Sequence, residues 1–175
     1  MKLLVTILIV IAASSCMHGH LHAQIADKVK ALHVTAADGH VVSVDALLKG
    51  RPVVLVRYIG NQCLHCIRQI RLLGDAAAIL HEAGAYVVAV CEDLPEENRE
   101  TMVSMDLDTA VIGLYSDTAG AVADAIGARI RERDGSVTEL HSTIVFNDAH
   151  VVLEHHATAP YFDIPKILAA VRAKP

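Results

Sequence analysis

Cys63 and Cys66 stand three positions apart in the stretch GNQCLHCIRQI, residues 60–70. Two thiols at that spacing admit three chemistries. One sulfur can attack a disulfide while the other resolves the mixed disulfide. The same pair can clamp a soft metal ion such as Cu(I). Or the two are buried thiols, or a static disulfide, with no reaction to perform. His65 lies between them and adds positive charge when protonated, and Arg68 follows within the next turn of a helix. Further along, Cys91 falls inside an apolar run, His141 precedes another, and His155 and His156 end a third. Cys91 reads as a small core residue, His155 and His156 as exposed strand-end residues. Arg57 breaks an apolar run and points either toward the pair or toward a strand end.

The elements that must hold the pair are legible. VVLVRY, residues 53–58, is a near-continuous apolar run of the kind found in central strands. From Leu64 to Ala83 apolar residues recur at helical spacing through Ile67, Ile70, Leu73, Ala77 and Leu80, and Gly84 ends the helix. Cys63 and Cys66 therefore lie where a strand hands over to a helix. The first N–H groups of a helix lack intrahelical partners and stabilise an anion, so a thiol placed there is expected to ionise more readily.

The remaining pattern alternates strands and helices. HVTAADGHVVSVDALLKG carries Asp38-Gly39 between two β-prone runs and predicts a hairpin. Strands are expected at Ala85–Cys91, at Ala110–Tyr115, and on both sides of Asn147-Asp148. Helices are expected over Pro95–Met105, whose first turn is acidic, over Asp117–Ile126, and over Ile164–Ala173. Strands separated by helices imply right-handed parallel crossovers, and the closing hairpin adds antiparallel strands.

The 175 residues suffice for one domain and a short extra segment, and 53% apolar content supplies a core. With no Trp and 3% aromatics, that core must be aliphatic. A net charge of -5 argues against nucleic acid as a partner. At the start, Lys2 precedes an apolar stretch from Leu3 to Ala13 that is too short to span a bilayer but suits an export signal. Ala13-Ser14-Ser15-Cys16 resembles a bacterial lipobox, which makes Cys16 the lipidated mature N-terminus; cleavage near Ala23 is the alternative. The expected organisation is an export signal over 1–15, a tether over 16–32 containing His18, His20 and His22, and a domain over 33–175. The chain is then exported, in the periplasm or anchored there as a lipoprotein, in a compartment where disulfides persist.

Residues 33–173 resemble the thioredoxin-like superfamily in its redoxin branch, the alkyl hydroperoxide reductase/thiol-specific antioxidant group. The resemblance rests on ADGHVVSVDALLKGRPVVLVRYIGNQCLHC, AYVVAVCEDLPEENRETM, LYSDTAGAVADAIGA and STIVFNDAHVV, in that order. It implies an α/β thioredoxin-like fold: a central mixed sheet flanked by helices, with an N-terminal β-hairpin extension. It also implies a thiol-dependent oxidoreductase that needs no cofactor beyond its redox-active disulfide, with a protein disulfide or a hydroperoxide as substrate and a thiol as electron donor.

The same resemblance leaves the order of attack open. Cys63 occupies the attacking position of thioredoxin-type exchange, with Cys66 resolving. Cys66 occupies the peroxide-attacking position of the peroxiredoxin pattern Pro-x-x-x-Thr-x-x-Cys, in which Cys63 stands for Thr and Ile59 for Pro. Gln62 stands where Trp is usual, and His141 or Ser142 where the family places a cis-proline or a helper Arg. The expected activity is disulfide exchange led by Cys63, with peroxide reduction by Cys66 as the alternative. The site would be lined or tuned by His65, Arg68, His141 and Ser142. A third possibility comes from copper-delivery proteins of the same fold, which use two Cys and a late His. LHSTIVF is similar to their His segment, so Cys63, Cys66 and His141 would hold Cu(I), although their cysteines are separated by three residues rather than two.

Overall fold

The computed structural model describes residues 24–148 and 150–173. The expected export signal, Cys16 and the three tether histidines lie outside these residues. No helix among the described residues is long and apolar enough to cross a membrane.

Helix α1, residues 24–30, buries Ile25, Ala26 and Val29 in the core. Ile25 and Val29 are four apart and form one helical stripe. The packed unit therefore reaches back before His33, into the segment expected as a tether. Strands β1 (His33–Ala36) and β2 (Val41–Ser43) form the hairpin expected around Asp38-Gly39. A short helix α2 (Val44–Leu48) follows, to which the sequence reading assigned no element. Ser43 caps it, its hydroxyl accepting the Ala46 N–H at 3.1 Å.

Strand β3 (Val53–Arg57) is buried at every residue. Burying each of Val53, Val54, Leu55 and Val56 contributes roughly 1.5–3 kcal/mol relative to leaving it exposed. The long helix expected after it divides into α3 (Leu64–Asp75) and α4 (Ala77–Glu82). The break falls at Ala76, just after Gly74, a poor helix former; a side chain at Gly74 would meet the tip of the Leu107 side chain at 2.8 Å, which would have to shift. Then come β4 (Tyr86–Cys91), α5 (Pro95–Ser104) and β5 (Ile112–Ser116). Helix α6 (Ala121–Ala125) starts later than the expected Asp117. Gly120 adopts a left-handed φ of 68°, and the Asp117 carboxylate accepts the N–H groups of Ala121 and Val122, so Asp117 caps the helix from a distance.

A two-stranded ribbon, β6 (Arg129–Arg131) with β7 (Val137–Glu139), is absent from the expectations. Asp134-Gly135 between two short runs is the turn signal that could have found it. Strands β8 (His141–Asn147) and β9 (His150–Ala157) and helix α7 (Ile164–Arg172) complete the chain.

The main sheet has seven strands in the order β2-β1-β5-β4-β3-β8-β9. Strands β3, β4 and β5 are parallel; β1 and β8 add to them antiparallel, as does β9 to β8. This is the expected mixed sheet flanked by helices. Alternation along β3 divides the core: Val53 and Leu55 pack with Ile25, Leu48 and Val122, while Val54 and Val56 pack with Ile70, Leu80 and Ile167.

Candidate active site

The end of β3 and the start of α3 place the cysteines. Cys63 is the N-cap of α3, in an extended conformation, and its Sγ accepts the Cys66 N–H at 3.3 Å. Its own N–H donates to the Gly60 carbonyl at 3.1 Å, closing the loop that joins strand to helix. Cys63 is half-buried. Cys66, one turn inside, is 0% exposed and packs with Val56 and Ile70.

His141 enters from the far side. It opens β8, next to β3, and is 4% exposed. Its Nε2 lies 3.1 Å from Cys66 Sγ and 3.9 Å from Cys63 Sγ. The three potential ligand atoms lie within 4.8 Å of one another, the one such group of three among the described residues.

Burial decides the protonation of this cluster. Burial, followed by the Cys63 side chain, pushes the Cys66 thiol up to about 12, against the opposing influence of the Ile59 and Gly60 backbone. The anion-stabilising helix start expected for the motif is thus outweighed at Cys66 by loss of water. Burial also holds His141 below its ordinary value, and the nearby Arg57 cation adds to the effect. The backbone of Thr158 and Ala157 opposes it, although buried Nδ1 forms no hydrogen bond with any described group. The arrangement is a neutral imidazole facing a protonated thiol. With the Cys66 S–H donating to Nε2, the imidazole can take that proton when the sulfur is called on to react.

The other expected site residues divide. His65 is exposed in the first turn of α3, close enough to His141 to disfavour its protonation. Arg68 turns away from the sulfurs, and its guanidinium stands 5.7 Å from the Phe162 ring centroid. Ser142 follows His141 on one strand, so it faces the opposite side of the sheet; its hydroxyl meets His156 Nδ1 at 2.7 Å. His156 is in turn paired with Glu154, so it is a half-buried network member rather than an exposed strand-end residue.

Arg57 pairs in register with Ser142, and therefore also faces away from the sulfurs. It is 2% exposed, donates to the Leu140 carbonyl at 3.1 Å, and pairs with Glu139 at 2.7 Å and Glu92 at 3.3 Å. Arg129 joins the same two carboxylates. Because Leu140 precedes His141, this network pins the strand start that presents the imidazole. Glu139→Ala is expected to cost about 2–3 kcal/mol in denaturant unfolding. That is below the roughly 3–5 kcal/mol for a buried charge left without its partner, because Glu92 and the Leu140 carbonyl remain.

Two supporting groups escaped the sequence reading. Gln69 is buried on α3 and donates to Thr143 Oγ1 at 3.2 Å and the Tyr161 carbonyl at 2.9 Å, fastening the helix of Cys66 to the strand of His141. Asn98 on α5 accepts from Tyr58 at 2.9 Å and from the Asn61 amide at 3.4 Å, and the Asp93 carboxylate accepts the Asn61 N–H. The loop before Cys63 is therefore tied to the β4–α5 segment. A Gln inside an apolar helix stripe is the one signal that was available. Cys91 donates to Asn98 at 3.4 Å, and burial raises its thiol to about 11, as suits a core residue.

Residues 25–155 match the AhpC/TSA family. No curated protein matches the chain. Among solved structures, the peroxidoxin BcpB of Mycobacterium tuberculosis is similar at 22% identity and a TM-score of 0.70, covering 81% of this chain and 91% of that one. Peroxiredoxin Q of Xanthomonas campestris is 16% identical with a TM-score of 0.72, covering 83% and 92%. A protein of Burkholderia cenocepacia described as a putative thioredoxin reductase is 17% identical with a TM-score of 0.64, covering 77% and 83%. These likenesses agree with the thioredoxin-like architecture, and the match over most of the described domain gives the lineage: the chain belongs to the AhpC/TSA family and is a thiol-dependent oxidoreductase of the redoxin type.

Proposed function

We propose that the protein is a thiol–disulfide oxidoreductase in which Cys63 attacks and Cys66 resolves. The observation that carries this reading is the asymmetry of the pair: Cys63 is half-buried at the helix N-cap, whereas Cys66 is fully buried with its thiol pushed up to about 12. The Cys63 thiolate attacks one sulfur of a substrate disulfide. A Cys63–substrate bond forms, the substrate S–S bond breaks, and its second sulfur leaves as a thiolate that takes up a proton. Cys66 then attacks Cys63 Sγ while His141 Nε2 accepts the Cys66 proton. The second substrate thiolate departs, the substrate has gained two electrons, and Cys63–Cys66 is a disulfide. An external dithiol returns it to the reduced state. Export rests on Lys2, the Leu3–Ala13 stretch and Cys16, and mass spectrometry of the mature N-terminus tests it: an unmodified start at Gln24 would remove the lipid anchor.

Peroxide reduction led by Cys66 is the competing chemistry of the family pattern, and the serine variants of the two cysteines separate the two. A second reading has its own observation. Cys63, Cys66 and His141 offer two sulfurs and one neutral imidazole within 4.8 Å, a donor set suited to Cu(I). Anaerobic titration with Cu(I) tests it. One ion bound per chain and lost in His141→Ala, with no turnover of disulfide or peroxide, would replace the exchange reading; turnover without stoichiometric binding would retire the metal.

A further inference from the structure

The surface around Cys63 is asymmetric in charge and apolar at its centre. Leu64, next to the reactive sulfur, is 83% exposed, and Ile59 on the preceding loop is 40% exposed. On one side, α3 continues outward through Arg68 and Arg71, one and two turns beyond Leu64 on the same helical stripe. With Leu72, Asp75 and Phe162 they line a groove of about 460 Å³. Among the described residues neither guanidinium has a carboxylate at ion-pair distance, whereas Arg57 and Arg129 are both paired. These two cations without a carboxylate partner lie along α3 beyond Leu64, in a chain of net charge -5. On the other side, beside Asn61 and Gln62, a second groove of about 380 Å³ is acidic, lined by Asp93, Glu97 and Glu100.

We infer that the Arg68–Arg71 groove is the docking surface for a protein partner whose reactive cysteine is flanked on one side by acidic residues. The inference rests on the exchange chemistry proposed above and names the surface that partner presents. The exposed Leu64 and Ile59 give a polypeptide apolar contact at the sulfur. The two guanidiniums take its carboxylates, and Asp75 on the same groove disfavours carboxylates placed beside it. The acidic groove opposite argues against a small polyanionic disulfide centred on Cys63, because such a molecule cannot keep its charges on one side. An extended segment can. Charge complementarity of this kind acts mainly on the rate of encounter and is screened by salt.

The test uses cysteine peptides activated as neutral pyridyl mixed disulfides: two acidic peptides, with aspartates before or after the cysteine, and a neutral one. A small pyridyl disulfide carrying two carboxylates is the fourth probe. Each rate is divided by that of a small neutral disulfide on the same protein. The better acidic peptide is expected to react about tenfold faster than the neutral peptide at low ionic strength. That advantage should vanish at high salt and in Arg68→Glu/Arg71→Glu. Equal rates for acidic and neutral peptides would overturn the inference while leaving exchange intact. An equal, arginine-dependent advantage for the small dicarboxylate would also overturn it, by assigning the groove to a small molecule. A wild-type protein that reacts with none of these disulfides, the small neutral one included, would remove the exchange reading, and this inference with it.

Discussion

Cys66→Ser is expected to arrest the protein as a covalent adduct between Cys63 and its substrate, visible by mass spectrometry as a stable mixed disulfide. Cys63→Ser should form no adduct and lose exchange by on the order of 10³-fold or more, as happens when a nucleophile is removed. The reason is accessibility together with ionisation. A thiol pushed up to about 12 stays protonated at pH 7, and Cys66 is fully buried. The Cys63 side chain is itself one of the influences that hold Cys66 protonated. Once Cys63 is bound up in a mixed disulfide, that influence ends, and Cys66 becomes easier to ionise at the moment it is needed. The same two variants decide against peroxide chemistry. If Cys63→Ser still consumes one equivalent of hydroperoxide rapidly while Cys66→Ser is inert, Cys66 is the attacking sulfur and the proposed order is wrong.

The second large effect belongs to His141. His141→Ala is expected to slow resolution by about 10²-fold, within the range of general-base catalysis, while leaving the first attack on the substrate comparatively fast. Stopped-flow measurement of the two steps reads that split as transient accumulation of the mixed disulfide in the variant; equal slowing of both steps would deny His141 the role of base for Cys66. Because burial holds the imidazole below its ordinary 6.5, the wild-type resolving step should keep its rate as pH falls past 6.5 and decline only at lower pH. Stability follows the same sign. An imidazole with a depressed folded-state pKa contributes stability that is present above its unfolded value. It is lost as pH falls through the folded value, because the unfolded chain binds the proton first. Unfolding midpoints of the wild type should therefore drop below pH 6.5 more steeply than those of His141→Asn. Parallel curves would show that the buried imidazole is not the group responsible.

Local patterns were strong guides to the sheet and weak ones to the short elements. The apolar run of β3, the Asp38-Gly39 and Asn147-Asp148 turns, and the helical spacing after Leu64 each follow from interactions within a few residues. Their elements appear where expected. Helix α1 was hidden because its stripe is a handful of residues inside a histidine-containing segment, and it is stabilised by the core it joins rather than by its own length. The division of α3 from α4 was hidden because one glycine, Gly74, inside an otherwise helical apolar pattern does not by itself signal a break.

Within the site, the sequence by itself determined the vicinal thiols and their place at a strand-to-helix junction, because spacing and periodicity are local properties; it singled out His141 only through the family resemblance. It left open which sulfur reacts, and it grouped Arg68 and Ser142 with the pair. Only the tertiary structure decided which residues share a face and which lose water. The pleat of β8 sends His141 to the sulfurs and Ser142 away from them, and the turn of α3 carries Arg68 outward to Phe162. Burial of Cys66 between β3 and α3 reverses the ionisation that a helix start would otherwise favour. Desolvation depends on everything packed around a group, and that surrounding is assembled from residues as far apart in the chain as 56, 66 and 141.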